Sequence, residues 1–398
     1  MEKTKYELLA PAGNFAMLVA AVNAGADAIY FGLQSGFGMR ANAKNFTVND
    51  LDKMREICNK SKRKPRLYVT LNTIVYDKEM SSLEKIIKKI KGKVDAVICW
   101  DPAVIELCRK YKIPFMISTQ SSVSNSESAK FYKKLGAKQI VLARELNLKQ
   151  IKEISKILPI ECFAHGAMCV AVSGRCFMSQ HLFNRSANRG ACIHPCRRTY
   201  KVIDEQEGYE LRLDNNKVMS AKDLCTLPFI EKMKKAGIRS FKIEERNRDP
   251  RYVDTVVRVY RKAIDNRLTK TEIKELMDEL KNVYNREFSS GFYLGLPTSD
   301  DFATIEHSAA KEKKEYIGKV IHYFKGAEVA TIKLVKDLKI GDKLVIIGNT
   351  TGLENIKVES MQIKNKDIKK AKAKEEVGIK LPLVRKNDEV YLIKKVKK

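Results

Sequence analysis

Four cysteines, Cys169, Cys176, Cys192 and Cys196, follow one another as C-x6-C-x15-C-x3-C, and Cys162 lies just upstream. Thiols clustered in this way, in a chain read as cytoplasmic, point to a metal or an iron–sulfur cluster rather than to disulfides. Zinc sites favour paired C-x2–4-C knuckles, and only the last pair is that close here. A [4Fe–4S] cluster is therefore the favoured reading, with structural zinc and unligated thiols as the alternatives. Arg175, Arg189, Arg197 and Arg198 stand where they could offset thiolate charge. Cys58, Cys99, Cys108 and Cys225 sit among apolar neighbours and read as small core residues.

Other polar residues fall at the ends of short apolar runs. Arg40 and Asn42 lie in the glycine-rich stretch GLQSGFGMRANAKNF, and Asn72, Gln120 and Arg144 each follow a further run. These are the candidate substrate-binding residues. In IECFAH, strand alternation puts Glu161 and His165 on one face, with Cys162 opposite. In SFKIEER, Lys242, Glu244 and Arg246 share a face. Charges on an inward face must pair or bind something. Two readings stand: an anion site for a carboxylate or phosphate, or a closed network of ion pairs. Glu161 and His165 could form an acid–base pair, or His165 could be a satisfied core residue. With Lys242, Glu244 and Arg246 they make up the catalytic candidates. No H-E-x-x-H or G-x-S-x-G motif is present, so two common hydrolase signatures are missing.

Those positions need a scaffold, and the chain spells one. The runs YELLAP, DAIYFGL, RLYVTLN, DAVICW, FMIST, QIVLAR, IECFAH and SFKIEER alternate with amphipathic stretches that often end in glycine. Eight continuous apolar strands alternating with helices predict a (β/α)8, TIM-like barrel over residues 1–305, with residues 161–200 as a cysteine-rich insertion. An open doubly wound sheet is the alternative. From residue 306 to 398 the pattern changes to short alternating strands such as YIGKVIHYF and EVYLIKKV, which predict a small all-β barrel domain.

Of 398 residues, 44% are hydrophobic and 31% charged, which excludes disorder as the main state. No run of about 18 apolar residues occurs, and Glu7, Pro11 and Gly13 interrupt the start of the chain. A cytoplasmic protein without membrane contact is expected. The net charge of +28 favours a nucleic-acid partner, although lysine-rich composition alone would also produce it.

The segments ELLAPAGNFAMLVAAVNAGADAIYFGL, ECFAHGAMCVAVSGRCFMS and KIEERNRDPRYV resemble the collagenase-like peptidase family U32. Despite that name, the resemblance implies an oxygen-independent hydroxylase with a [4Fe–4S] cluster on Cys169, Cys176, Cys192 and Cys196. One branch of the family converts wobble uridine of tRNA to 5-hydroxyuridine and is linked to prephenate as hydroxyl source. Others hydroxylate ribosomal RNA or a quinone precursor. The length, with one barrel and a C-terminal β domain, is most similar to the tRNA branch. The implied partners are tRNA, a small anionic co-substrate and an electron donor that the resemblance does not identify. A peptidase and a zinc-stabilised RNA-binding module remain as alternatives. Glu245 and Glu287 depart from the family pattern, which has glycine at both places.

Overall fold

The computed structural model describes residues 6–41, 43–200, 202–208, 210–211, 219–305 and 307–396. Eight strands coincide with the eight apolar runs: β1 (Glu7–Ala12), β2 (Ala28–Gly32), β3 (Arg66–Leu71), β4 (Ala96–Cys99), β5 (Phe115–Ile117), β6 (Ile140–Val141), β7 (Ile160–Gly166) and β8 (Ser240–Ile243). Each pairs in parallel with the next, and β8 also pairs with β1, so the ring is closed. This is a TIM-like barrel. Both strand faces are apolar because both are covered. Leu9, Ala28, Tyr30, Tyr68, Ala96, Ile98 and Met116 pack together inside, while the outward side chains meet the surrounding helices.

Those helices are α1 (Phe15–Asn23), α2 (Leu51–Lys60), α3 (Met80–Ile90), α4 (Pro102–Lys110), α5 (Ser126–Lys134), α6 (Leu148–Ile154), α8 (Ile230–Lys235), α9 (Pro250–Asp265) and α10 (Lys270–Leu280). Several begin on a side-chain cap just beyond a strand end. Asn14 caps α1, Asp101 caps α4, and Asp249 caps α9, the last two followed by proline in the first turn. The caps fix where each strand-to-helix loop turns, and so fix the rim on which the polar residues stand.

The long excursion between β7 and β8 holds the cysteines. It contains a short helix α7 (Met178–Phe183) and a strand Asp223–Cys225 that pairs antiparallel with the end of β7. The same strand pairs with Phe288–Ser289. These pairings clamp the insertion over the C-terminal mouth of the barrel.

Beyond the barrel, β9 (Glu312–Phe324), β10 (Val329–Leu334), β11 (Lys343–Gly348), β12 (Gly352–Lys357), β13 (Gln362–Ile363), β14 (Lys366–Asp367), β15 (Glu376–Lys380) and β16 (Glu389–Lys395) form one antiparallel sheet. Its order is β12-β11-β16-β9-β10-β15-β13-β14. It wraps a separate apolar core that includes Ile317, Val320, Ile332, Leu344, Ile379 and Val390. A third apolar cluster joins Ala16 and Ala20 of α1 to Val345, Ile347 and Leu353, so the sheet docks directly on the barrel.

Candidate active site

A cavity of about 1230 Å3, its open mouth included, lies where the barrel strands end beneath the insertion. Tyr30, Thr70, Phe163 and Lys242 come up from the barrel, and Cys169, Cys176, Cys192 and Cys196 come down from the insertion. Arg40, Arg144, Arg197, Lys242, Arg246 and Arg286 line it, against the carboxylates Glu244 and Glu245. That is the strand-end position at which barrel enzymes place their chemistry.

At the floor, Lys242 Nζ donates to Glu161 Oε1 at 2.9 Å, and neither side chain reaches solvent appreciably. Gln139 donates to the other Glu161 oxygen at 2.9 Å. One step higher, Glu244 accepts from Arg40 at 3.0 Å and from the Tyr30 hydroxyl at 3.0 Å. Burial alone would raise the Glu244 pKa, but the cations Arg40, Arg144 and Lys242 hold it at about 2. Glu244 is thus a carboxylate at any working pH. Arg40 also lies 2.6 Å from His194 Nε2. Burial, followed by the charges of Arg40, Arg286 and Arg197, lowers His194 to about 4, so its neutral ring accepts from the guanidinium.

The remaining wall is neutral or tied to the backbone. Asn72 accepts from the Met39 N–H at 3.0 Å and donates to Ser118 at 3.2 Å and to Gln120 at 3.4 Å. Arg144 donates to the Ala167 carbonyl at 2.8 Å and lies over the Phe163 ring at 3.7 Å. Arg246 is buried and donates to the Met39 carbonyl, which ties the end of β8 to the loop after β2.

None of the nine cysteines is in a disulfide. The Cys176 sulfur accepts from the Met178 N–H and the Cys192 sulfur from the His194 N–H, both at 3.4 Å. Burial pushes the Cys196 thiol up, Arg197 pulls it down, and Cys169, Cys192 and Cys176 push it up further. A single zinc ion would draw four sulfurs to about 3.8 Å of one another. Among the described residues no three His, Cys, Asp or Glu side chains converge on one metal point. An iron–sulfur cube takes each thiolate on a different iron and needs the sulfurs spread around a space. Four soft donors around one cavity, with backbone N–H groups aimed at two of the sulfurs, fit that group.

The structure rearranges several sequence expectations. His165 does not face the cavity. The β7–β8 register shifts so that Lys242 pairs with Phe163 but Ile243 pairs with His165. That irregularity breaks the alternation and turns the ring outward among Tyr252, Tyr260 and Phe288. Burial lowers its pKa to about 3, and no acid–base pair with Glu161 forms. Lys242, Glu244 and Arg246 do share the inward face, but Lys242 and Glu244 have partners within the protein and Arg246 holds a backbone carbonyl. Of the three, none is an open anion clamp. Asn42 lies outside the described residues. Glu245 and Glu287 both have positive φ, +97° and +59°, the region that glycine adopts most readily. Glu245 turns to Arg248 and Arg286. Cys162, Cys58, Cys99, Cys108 and Cys225 are buried as expected.

Tyr30, His194 and Arg286 were not singled out from the sequence. Tyr30 had a readable signal, since alternation within β2 turns it inward with Ala28. His194 lay between two candidate ligands. Arg286 had none, because the pairing of Phe288–Ser289 with the insertion strand brings it in.

Comparison with known proteins follows from this geometry. The model of peptidase family U32 matches residues 13–303. An uncharacterized protease of Methanocaldococcus jannaschii is 42% identical over 98% of both chains. A collagenase of Porphyromonas gingivalis is 40% identical, again over 98% of both. A tRNA hydroxylation protein P1 of Bacillus subtilis is 37% identical over 86% of this chain and 84% of its own. With the matched model running from α1 through β8 and including the insertion that carries the four cysteines, the chain belongs to peptidase family U32.

Proposed function

We propose that this protein is an RNA hydroxylase that forms 5-hydroxyuridine at the wobble position of tRNA. The observation that carries the reading is the cavity itself: four cysteines on one wall face a lining with six cations and two carboxylates. Cys169, Cys176, Cys192 and Cys196 would hold a [4Fe–4S] cluster, which supplies one-electron transfer when bound. The cationic excess suits a small anionic co-substrate, with a dicarboxylate such as prephenate the specific candidate. Arg144 is a candidate cation for it, because its partners are a carbonyl and a ring and, among the described residues, no carboxylate pairs with it. Arg40 is held by Glu244 and His194, and so positions the floor. Lys242, ion-paired with Glu161, presents its ammonium beneath the reacting groups. The hydroxylation named for the Bacillus subtilis relative supports the reaction class.

A peptidase reading has the collagenase name in its favour. It needs an activated nucleophile. In the cavity, the Ser118 hydroxyl donates its hydrogen bond to the Gln120 amide oxygen, and His194 Nε2 is occupied by Arg40. Neither forms a nucleophile–base pair.

Anaerobic purification tests the cofactor. A brown protein absorbing near ~400 nm is expected, and Cys192→Ala should lose that colour. A colourless protein with stoichiometric zinc would end the redox reading. Nucleoside mass spectrometry of tRNA from a strain lacking the gene tests the substrate, and an unchanged wobble uridine would sink the tRNA claim.

A further inference from the structure

The segment from Cys162 to Ile203 contains five arginines and one lysine and no aspartate or glutamate. It also exposes large apolar side chains. Phe177 is 74% exposed, Val172 57%, and Leu182 and Phe183 are exposed as well. Phe177 sits between Cys176 and Met178, both of which line the cavity, so its ring stands outward at the mouth. Three arginines of the segment lie over aromatic rings: Arg175 at 5.9 Å over Trp100, Arg189 at 4.9 Å over Tyr76 and Arg198 at 4.8 Å over Phe183. Arg189 is paired with Glu79, whereas among the described residues neither Arg175 nor Arg198 meets a carboxylate; Arg175 donates to the Ser122 hydroxyl.

Exposed apolar surface of this kind marks an interaction site. An exposed patch in which Arg175 and Arg198, meeting no described carboxylate, lie over aromatic rings matches one partner class well. Unpaired nucleic acid offers phosphates to the cations and base faces to the rings, and the stacking is tolerant of sequence. A duplex cannot use the rings, because its bases are already stacked.

We propose that the cysteine-rich insertion seats an unpaired loop of the RNA substrate, with Phe177 stacking on a base next to the one that enters the cavity. The proposal rests on the RNA-hydroxylase reading above and adds to it the surface and the RNA conformation. It assigns the insertion two faces: an inner one that holds the cofactor and an outer one that holds the strand. The reacting base then arrives beside the cysteines already unstacked.

Fluorescence anisotropy with the full-length protein tests it, using a labelled RNA hairpin with a seven-nucleotide loop and a blunt duplex of the same stem. Phe177→Ala should weaken hairpin binding about tenfold, the scale of one base stack. Duplex binding and the visible spectrum should not change. Phe177→Trp should restore the hairpin affinity, and Arg198→Glu should weaken it as well. Equal hairpin affinity in wild type, Phe177→Ala and Arg198→Glu would overturn the docking surface and leave the hydroxylase reading standing. A wild-type protein that binds neither RNA would overturn both. A collagen peptide bound in a Phe177-dependent way, with RNA binding independent of Phe177, would assign the surface to a peptide and overturn the proposal.

Discussion

Lys242 and Glu161 stand 2.9 Å apart with side chains 6% and 0% exposed, so each compensates the other away from water. Removing one member of such a pair leaves a buried charge without compensation, which costs about 3–5 kcal/mol. Lys242→Met should show that loss in urea denaturation. The double variant Lys242→Met/Glu161→Gln should recover most of it, and no recovery would mean that the pair is not the source. His165 governs a different property. Its folded pKa is depressed from 6.5 to about 3 by burial, so between those values only the unfolded chain takes up the proton. The stability it contributes is complete above pH 6.5 and is lost as pH falls through that window, by at most about 5 kcal/mol. Glu244, lowered from 4.5 to about 2, contributes stability above pH 4.5 that is lost as pH falls toward 2. His165→Phe should flatten the stability–pH curve between 6.5 and 3. An unchanged curve would place the ring in solvent.

The elements hold these residues by a few specific contacts. The strand Asp223–Cys225 bonds to the end of β7 on one side and to Phe288–Ser289 on the other. Asp223 accepts from the Arg286 backbone N–H and side chain, both at 3.1 Å, which carries Arg286 to the cavity wall. At the other end of the molecule, Gly352 opens β12 with φ +75°, pressed against α1. A Cβ there would lie 2.7 Å from Val19 Cγ1 and 3.0 Å from the Ala20 nitrogen. Strain and overpacking together amount to about 3 kcal/mol. Gly352→Val should therefore lower the melting temperature and expose residues 307–311, between barrel and sheet, to limited proteolysis. A melting temperature within a degree of wild type would mean that α1 and β12 do not pack as described.

For the molecule as a whole, the charge of +28 can now be partly located. Arg40, Arg144, Arg197, Lys242, Arg246 and Arg286 belong to the cavity. Others are consumed in ion pairs that staple the barrel, such as Arg63 and Arg261 on Asp27 and Arg251 on Glu312. Within the insertion Arg197 turns to the cavity and Arg189 pairs with Glu79, while Arg175 and Arg198 are exposed. If the loop of an RNA makes about five phosphate contacts there, the log–log slope of affinity against salt should be near −3.5. A flat dependence would assign the charge to composition. No helix among the described residues is long and apolar enough to cross a membrane.

The sequence by itself determined the barrel and the cysteine wall. Apolar runs and the spacing of Cys169, Cys176, Cys192 and Cys196 are properties of neighbouring residues, and they survive being read along the chain. Alternation was also enough for Glu161, Lys242 and Glu244. It failed for His165, because β7 carries one extra residue, Ala164, opposite the step from Lys242 to Ile243, which reverses the faces of β7 beyond Phe163, and such a bulge is set by the pairing with the partner strand. Only the tertiary structure decided which charges neutralise one another. Arg40 meets Glu244 across more than two hundred residues, and Arg286 reaches the cavity through a strand in the insertion. Local propensity carries no record of such partners. They are chosen when burial removes water and each charge must find the nearest compensation the folded chain supplies.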